Sequence, residues 1–257
     1  MGAIVKEGWE IDLMREAGKI VARGLSMLTE RAVPGATTAD LDRAFEEHVR
    51  SCDAVPTFKG YREFPASICA SLNEEVVHGI PTNDRRLKKG DVLKIDAGAT
   101  YRGYVGDSAV TLAIGTVPDD AKKLIEATRQ GLEEGIKAVK PGATLGDLGA
   151  AIQRVALRAG YGVVRKFCGH GIGRNMHEEP NVPNFVTGEP YVDRFVLRPG
   201  HCIAIEPMFV VGNGDVTVLP DNWTVINKGR GLAAHWEHTV AVTDNGCEVL
   251  TRREGEV

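Results

Sequence analysis

One stretch of this chain recurs in altered form 107 positions further on. Residues 24–41 read GLSMLTERAVPGATTADL, and residues 131–148 read GLEEGIKAVKPGATLGDL. Pro34, Gly35, Ala36, Thr37, Asp40 and Leu41 return as Pro141, Gly142, Ala143, Thr144, Asp147 and Leu148. In both copies T-x-x-D is a capping-box pattern that starts a helix. A second echo pairs LKKGDVLKID (87–96) with LRPGHCIAIE (197–206), each a glycine turn followed by an apolar strand ending in a carboxylate. A third pairs His78-Gly79-Ile80-Pro81 with His177-Glu178-Glu179-Pro180. Three echoes in one order imply a single domain, 1–257, of two related halves, about 9–117 and 118–250. The offset far exceeds the roughly 20–50-residue period of a solenoid, so this is one duplication and not an array.

Hydrophobic spacing fills in the halves. Met14, Ala17, Val21, Leu25 and Leu28 form a helical stripe before Pro34, and Leu124, Thr128, Leu132, Ile136 and Val139 form another before Pro141. Further helices are expected at about 38–51 and 145–159, the second ending at Gly160. β-rich runs occupy about 67–71, 91–98, 103–114, 201–211, 215–219, 223–227 and 234–243. Each half reads as two helices and then strands. The fold class is α+β, with both helix pairs on one face of a largely antiparallel sheet.

Composition removes several function classes. With 43% apolar and 26% charged residues the chain is neither disordered nor fibrous, and a net charge of −4 does not suggest a nucleic-acid binder. No apolar run approaches the roughly 20 residues of a membrane-spanning helix, and MGAIVKEGWE is not patterned as a signal peptide. Cys52, Cys69, Cys168, Cys202 and Cys247 are odd in number and lack zinc-finger spacing. They read as free thiols of a cytoplasmic protein.

Residues 91–114 read as a β-hairpin, and a two-residue turn at 101–102 would set Asp96 directly opposite Asp107. Like charges so placed repel, and carboxylates in a strand centre are costly to bury. A divalent cation reverses the sign. A slip of one residue would part the two onto opposite faces. Taken alone, such a pair also reads as solvent-facing aspartates at strand edges. The duplication favours the cation: Asp96 has Glu206 as its counterpart, Glu237 lies in another β-run, and His170 sits among glycines in GHGIG. Four carboxylates and one imidazole suit Mn²⁺, Fe²⁺, Co²⁺ or Zn²⁺ better than a structural zinc cage. Four negative charges can hold two divalent ions.

Together, N-E-E-V-V-H-G-I-P (73–81), I-D-A-G and G-Y-V-G-D-S-A-V-T within 95–111, G-H-G-I-G-R-N-M-H-E-E-P (169–180), I-E-P-M (205–208) and E-H-T (237–239) resemble the type I methionine aminopeptidases. The resemblance runs from about residue 9 to 250. It implies the pseudo-two-fold pita-bread fold and removal of an initiator methionine ahead of a small second residue, a rule that the Met1-Gly2 start obeys. It implies two metal ions held by Asp96, Asp107, His170, Glu206 and Glu237, with Asp107 and Glu237 bridging. A hydroxide made available by the metals attacks the first peptide bond. Glu206 doubles as proton shuttle, His177 donates to the carbonyl oxygen, and His78 contacts the scissile amide. Tyr61, Phe64, Cys69, Met176 and Trp223 line the methionine pocket. The resemblance further implies a cytoplasmic monomer acting on nascent chains in transient contact with the ribosome.

Other histidines read as bland: His48 and His201 as surface residues, His238 as structural because it points away from Glu237. Met176 stands where the family often has an aromatic and His235 where glutamine is common, and neither is expected to touch the ligand set. Two alternatives remain. Prolidase-like and X-Pro-cleaving hydrolases share the fold but usually carry an N-terminal domain for which this chain has no room. A non-catalytic module of the same fold would have lost ligands, and all five are present.

Overall fold

The computed structural model describes residues 2–256, so Met1 of the Met1-Gly2 start lies outside the described residues. Helices α1 (Gly8–Arg31), α2 (Thr38–Ser51), α3 (Asp119–Ala138) and α4 (Leu145–Ala159) fall where the spacing placed them, joined by a short α5 (Pro190–Asp193). The first half carries strands β1 (Val55–Pro56), β2 (Ile68–Leu72), β3 (Glu75–Val77), β4 (Val92–Tyr101) and β5 (Tyr104–Ala113). In the second half come β6 (Gly162–Val163), β7 (Gly169–Gly171), β8 (Glu178–Val182), β9 (Cys202–Ile205) and β10 (Met208–Val210). They are followed by β11 (Val216–Val218), β12 (Val225–Asn227), β13 (Ala233–His235), β14 (Glu237–Thr243) and β15 (Gly246–Val249). No described helix is long and apolar enough to cross a membrane.

The main sheet has nine strands. Its path runs β1-β4-β5-β14-β9-β7-β8, with β2 also on β4 and β15 also on β14. Neighbours are antiparallel throughout. Two three-stranded sheets, β13-β10-β6 and β11-β12-β3, flank it.

Strand alternation sorts the side chains. Leu93, Ile95, Ala97 and Val110 point to one face and join α1 and α2 in a core with Leu25, Leu28 and Phe45. Ile203, Ile205, Val240 and Val242 do the same against α3 and α4, with Leu124, Leu148 and Ile152. Gly106 permits α1 to lie close on β5, because a Cβ there would come 2.6 Å from the Gly18 nitrogen. The opposite face is left for the site.

The two P-G-A-T turns dock alike. Thr37 with Asp40 and Thr144 with Asp147 form reciprocal capping boxes. Gly35 and Gly142, at φ 97° and 85°, donate their N–H groups to the carbonyls of Leu87 and Leu197, the residues that open the second echo.

Several expectations need correcting. The hairpin turn is Arg102-Gly103, both left-handed at φ 48° and 82°, and not Tyr101-Arg102. Left-handed residues at both central positions give a turn whose twist matches that of the strands. Asp96 therefore faces Ala109 and Asp107 faces Gly98. The two aspartates are diagonal neighbours, still on one face. The expected runs 201–211 and 234–243 each break, at Glu206-Pro207 and at Trp236. The short strands β1, β3, β6, β7, β8 and β15 were not expected.

Candidate metal centre

Two alternate rungs of the sheet, whose side chains share one face, carry the chemistry. In one, His170 on β7 faces Ala204 on β9, which faces Thr239 on β14. Thr239 is tied to Asp107 on β5 by reciprocal bonds: its hydroxyl accepts the Asp107 N–H at 3.0 Å and donates to the Asp107 carbonyl at 2.8 Å. Asp107 in turn faces Gly98 on β4. In the other rung, Cys69, Asp96, Ala109 and Glu237 face one another in sequence. The next step of the β14–β9 register brings Glu206, immediately after β9, beside Glu237. Small residues separate the ionisable ones and leave room between them. At Gly98 any Cβ would meet Phe58 at 2.8 Å.

Ligand-capable atoms of Asp107, His170 and Glu237 lie within 4.8 Å of one another, and all three residues are buried. His170 Nε2 is 4.0 Å from Asp107 Oδ2 and 3.6 Å from Glu206 Oε1. One oxygen each of Asp96, Asp107 and Glu237 is buried without a hydrogen-bond partner. Burial pushes the Asp96 carboxyl up to about 7. Burial, and then the Asp96 charge, pushes Asp107 and Glu206 well above the carboxylate range. Glu237 rises through burial and the charges of Asp107, Asp96 and Glu206. Burial and the nearby His177 hold the His170 imidazole down to about 3, so it is neutral.

These features meet the test for a divalent cation. Orphaned buried oxygens and crowded carboxylates destabilise one another until a cation compensates them, and a neutral imidazole is a ready nitrogen ligand. The nearby Cys69 thiol is buried, and desolvation with three surrounding carboxylates pushes its pKa up, so it stays protonated. The donors are hard oxygens and one nitrogen.

A cleft of about 300 Å³ opens over the cluster, and every residue expected in the site lines it: the five acidic and imidazole groups, His78, His177, Tyr61, Phe64, Cys69, Met176 and Trp223. Tyr61 OH is 2.8 Å from His177 Nδ1, with the two rings stacked. The His177 ring lies 4.2 Å from the His170 ring, centroid to centroid. His78 sits across the cleft in a left-handed conformation, φ 61°, edge-on to Phe167 and Trp223. Burial and His177 lower the His78 pKa to about 4.

Three bland readings fail. His48 is half-buried and its Nε2 bonds the Ile20 carbonyl at 2.9 Å. His201 is buried, its Nδ1 accepting the Arg198 N–H while the ring packs on Phe195. His235 does reach the ligand set, with Nε2 3.8 Å from Glu206 Oε2. His238 is structural as expected, against Thr251 and Glu256 on the far face. Sequence reasoning missed Phe58, Arg62, Lys166, Phe167 and Cys168 in the lining. Cys168 could have been found, since it stands two residues before His170 and strand alternation puts it on the same face. Phe58 and Arg62 lie in irregular backbone, where no periodicity marks them.

Residues 12–244 match the model of metallopeptidase family M24. A methionine aminopeptidase of Clostridium acetobutylicum is 48% identical over 248 residues, covering 96% of this chain and 98% of that protein. The crystal structure of a methionine aminopeptidase from Thermotoga maritima superposes with a TM-score of 0.94 at 40% identity, covering 98% of this chain and all of that one. A prolidase from Pyrococcus horikoshii gives a TM-score of 0.77 at 24% identity and shares the fold, with 65% of its own length covered.

Proposed function

Because the chain belongs to metallopeptidase family M24, and within it to the methionine aminopeptidases with their pita-bread fold, we propose that its two-rung cluster is a two-ion centre at the floor of a methionine-binding cleft. Removal of an amino-terminal methionine is the activity that membership carries. The observation that carries the site reading is the set of unpartnered buried oxygens on Asp96, Asp107 and Glu237 beside the neutral His170.

Asp96, Asp107, His170, Glu206 and Glu237 would hold the ions, and Asp107 and Glu237 would be the ligands common to both. Mn²⁺, Fe²⁺, Co²⁺ or Zn²⁺ fits the donors. Bound ions of this kind polarise a carbonyl and acidify water to near neutrality. Phe64, Met176 and Trp223 take the methionine side chain, Cys69 packs beneath it, and Tyr61 walls the entrance. Glu206 carries the proton from the attacking water toward the leaving amine. His177 donates from Nε2 to the carbonyl oxygen as charge develops there. His78, on the other side, contacts the scissile amide. Since Glu206 and Asp96 arise from matching strands, and His177 and His78 from matching turns, one catalytic domain built of two related halves accounts for the arrangement.

The proposed setting is a cytoplasmic monomer working on nascent chains in transient contact with the ribosome. The five cysteines, all free, suit a reducing compartment. The deciding experiment measures metal content and Met-Gly-Met hydrolysis on one preparation, before and after prolonged chelation. Loss of cleavage on chelation and its return with Mn²⁺ or Co²⁺ is expected. Full activity in verified metal-free protein refutes the centre.

A further inference from the structure

His235 is an unusual residue to find buried. It ends β13, opposite Met208 on β10, and is 1% exposed. Its backbone is clamped to β5: the Thr111 hydroxyl donates to the His235 carbonyl at 2.6 Å and accepts the His235 N–H at 2.9 Å. That clamp leaves the ring little freedom to move away. Yet neither ring nitrogen has a hydrogen-bond partner. A buried donor without a partner costs about 1–3 kcal/mol and calls for a compensating role.

The ring faces Glu206. Nε2 lies 3.8 Å from Glu206 Oε2, while the other oxygen, Oε1, lies 3.6 Å from His170 Nε2. The carboxylate is thus bracketed by two imidazoles, one at each oxygen. Lys94, whose charge the His235 ring feels, is already committed, its Nζ donating to the Asn73 carbonyl at 2.8 Å. His235 is then the donor placed to serve Oε2.

We propose that His235 is a positioning residue for Glu206: its Nε2–H closes onto Oε2 and keeps Oε1 turned toward the ion-holding cluster. This rests on the two-ion reading given above. The role needs an N–H donor at that point and not an imidazole as such, so a glutamine amide would serve equally. Burial of the ring, which keeps it neutral, leaves a single N–H to give.

The test compares His235→Gln and His235→Leu with the parent. Mn²⁺ affinity of chelated protein is measured by calorimetry, kcat and KM on Met-Gly-Met, and folding by circular dichroism. Groups that orient metal ligands typically cost about 10–100-fold in affinity or activity when lost. A loss of that order in Mn²⁺ affinity and kcat, with KM little changed, is expected for His235→Leu, and near-parent behaviour for His235→Gln. In a Glu206→Gln background, His235→Leu should cost no further Mn²⁺ affinity, because the two act as one unit. Should His235→Leu fold poorly, His235→Phe keeps a ring of similar shape without the donor. Parent-like Mn²⁺ affinity and kcat in a folded donorless variant overturn the proposal. So does a His235→Gln that falls as far as His235→Leu, or a further loss in the Glu206→Gln background. A parent protein that binds no Mn²⁺ refutes the two-ion centre itself, and this inference with it.

Discussion

Tyr61 OH lies 2.8 Å from Nδ1 of His177, while burial and the Arg62 charge keep the His177 pKa low. A phenol donating to Nδ1 leaves the neutral ring its proton on Nε2, the nitrogen free to serve substrate, whereas a phenol accepting from Nδ1–H would leave Nε2 without one. Loss of one preorganised donor to a developing oxyanion typically costs about 10²–10³ in kcat. His177→Ala should show that loss with bound metal unchanged. Tyr61→Phe should lower kcat less, through the tautomer. The double variant should be no slower than His177→Ala alone, because both act through one bond. Steady-state kinetics on the four proteins decide this, and additive losses would separate the two residues.

A ligand-capable oxygen of Asp107 lies within 4.8 Å of ligand-capable atoms of both His170 and Glu237. A ligand shared by two ions should cost more than one serving a single ion. Asp107→Asn is expected to lower metal content and rate further than His170→Ala. Metal analysis of the two variants at equal protein concentration tests the order. A reversed order, or an Asp107→Asn with parent metal content, removes the bridging role.

A preference for a small second residue requires narrow space beside the carboxylates for whatever follows the methionine. Peptides with Gly, Ala, Ser, Cys, Thr, Pro or Val second should be cleaved, and those with Lys or Phe second should not. Comparing kcat/KM across Met-X-Met peptides gives the answer. Efficient cleavage of Met-Lys-Met would contradict the narrow site, and preference for X-Pro peptides would point to prolidase-like chemistry.

The crowded carboxylates also set a pH dependence for the metal-free protein. Their pKa values are raised by folding, Asp96 to about 7, and Asp107, Glu206 and Glu237 well above the ordinary carboxylate range by burial and their neighbours' charges. The folded state therefore holds protons that the unfolded chain has released, and stability falls as pH rises toward those values. The buried histidines have lowered values and act oppositely, but only below about 6.5, the usual histidine pKa. Between about pH 6.5 and 8 the four carboxylates act against one opposing buried group, Lys94, whose ammonium burial lowers to about 7. The Tm of chelated protein should drop across that window, and Mn²⁺ should abolish the drop, since metal takes the place of the protons. A flat or rising Tm without metal would show the carboxylates to be relieved by something else.

The helices were legible because their signals are local. The Thr37–Asp40 and Thr144–Asp147 boxes mark two helix starts to the residue, and Gly160 marks an end. The clustering of the acidic residues was legible because strand alternation and the duplication both point at Asp96 and Glu206. What failed was largely non-local. The hairpin register depends on whether Arg102 or Tyr101 enters the left-handed turn, and both are plausible from composition. His48 is half-buried because its Nε2 meets the Ile20 carbonyl of the preceding helix, and His201 is buried although its ring partners, Phe195 and Arg198, stand close by in the chain. His235 comes within 3.8 Å of Glu206 because β13 pairs with β10, which starts just after Glu206-Pro207, a juxtaposition that no spacing in the sequence reveals.

The two rungs draw on strands from both ends of the chain, with β14 lying between β5 and β9. Glu237 belongs to a strand made among the last residues, yet it must slot into the middle of the sheet beside Asp107. A growing chain therefore has no partial centre: until β14 has been synthesised and inserted, the first half holds two aspartates without their shared partner and the second holds His170 and Glu206 facing open space. Acquisition of metal becomes the final event of assembly, and a fragment ending before residue 237 should bind none. An enzyme that trims the start of other proteins can begin only when its own end is in place.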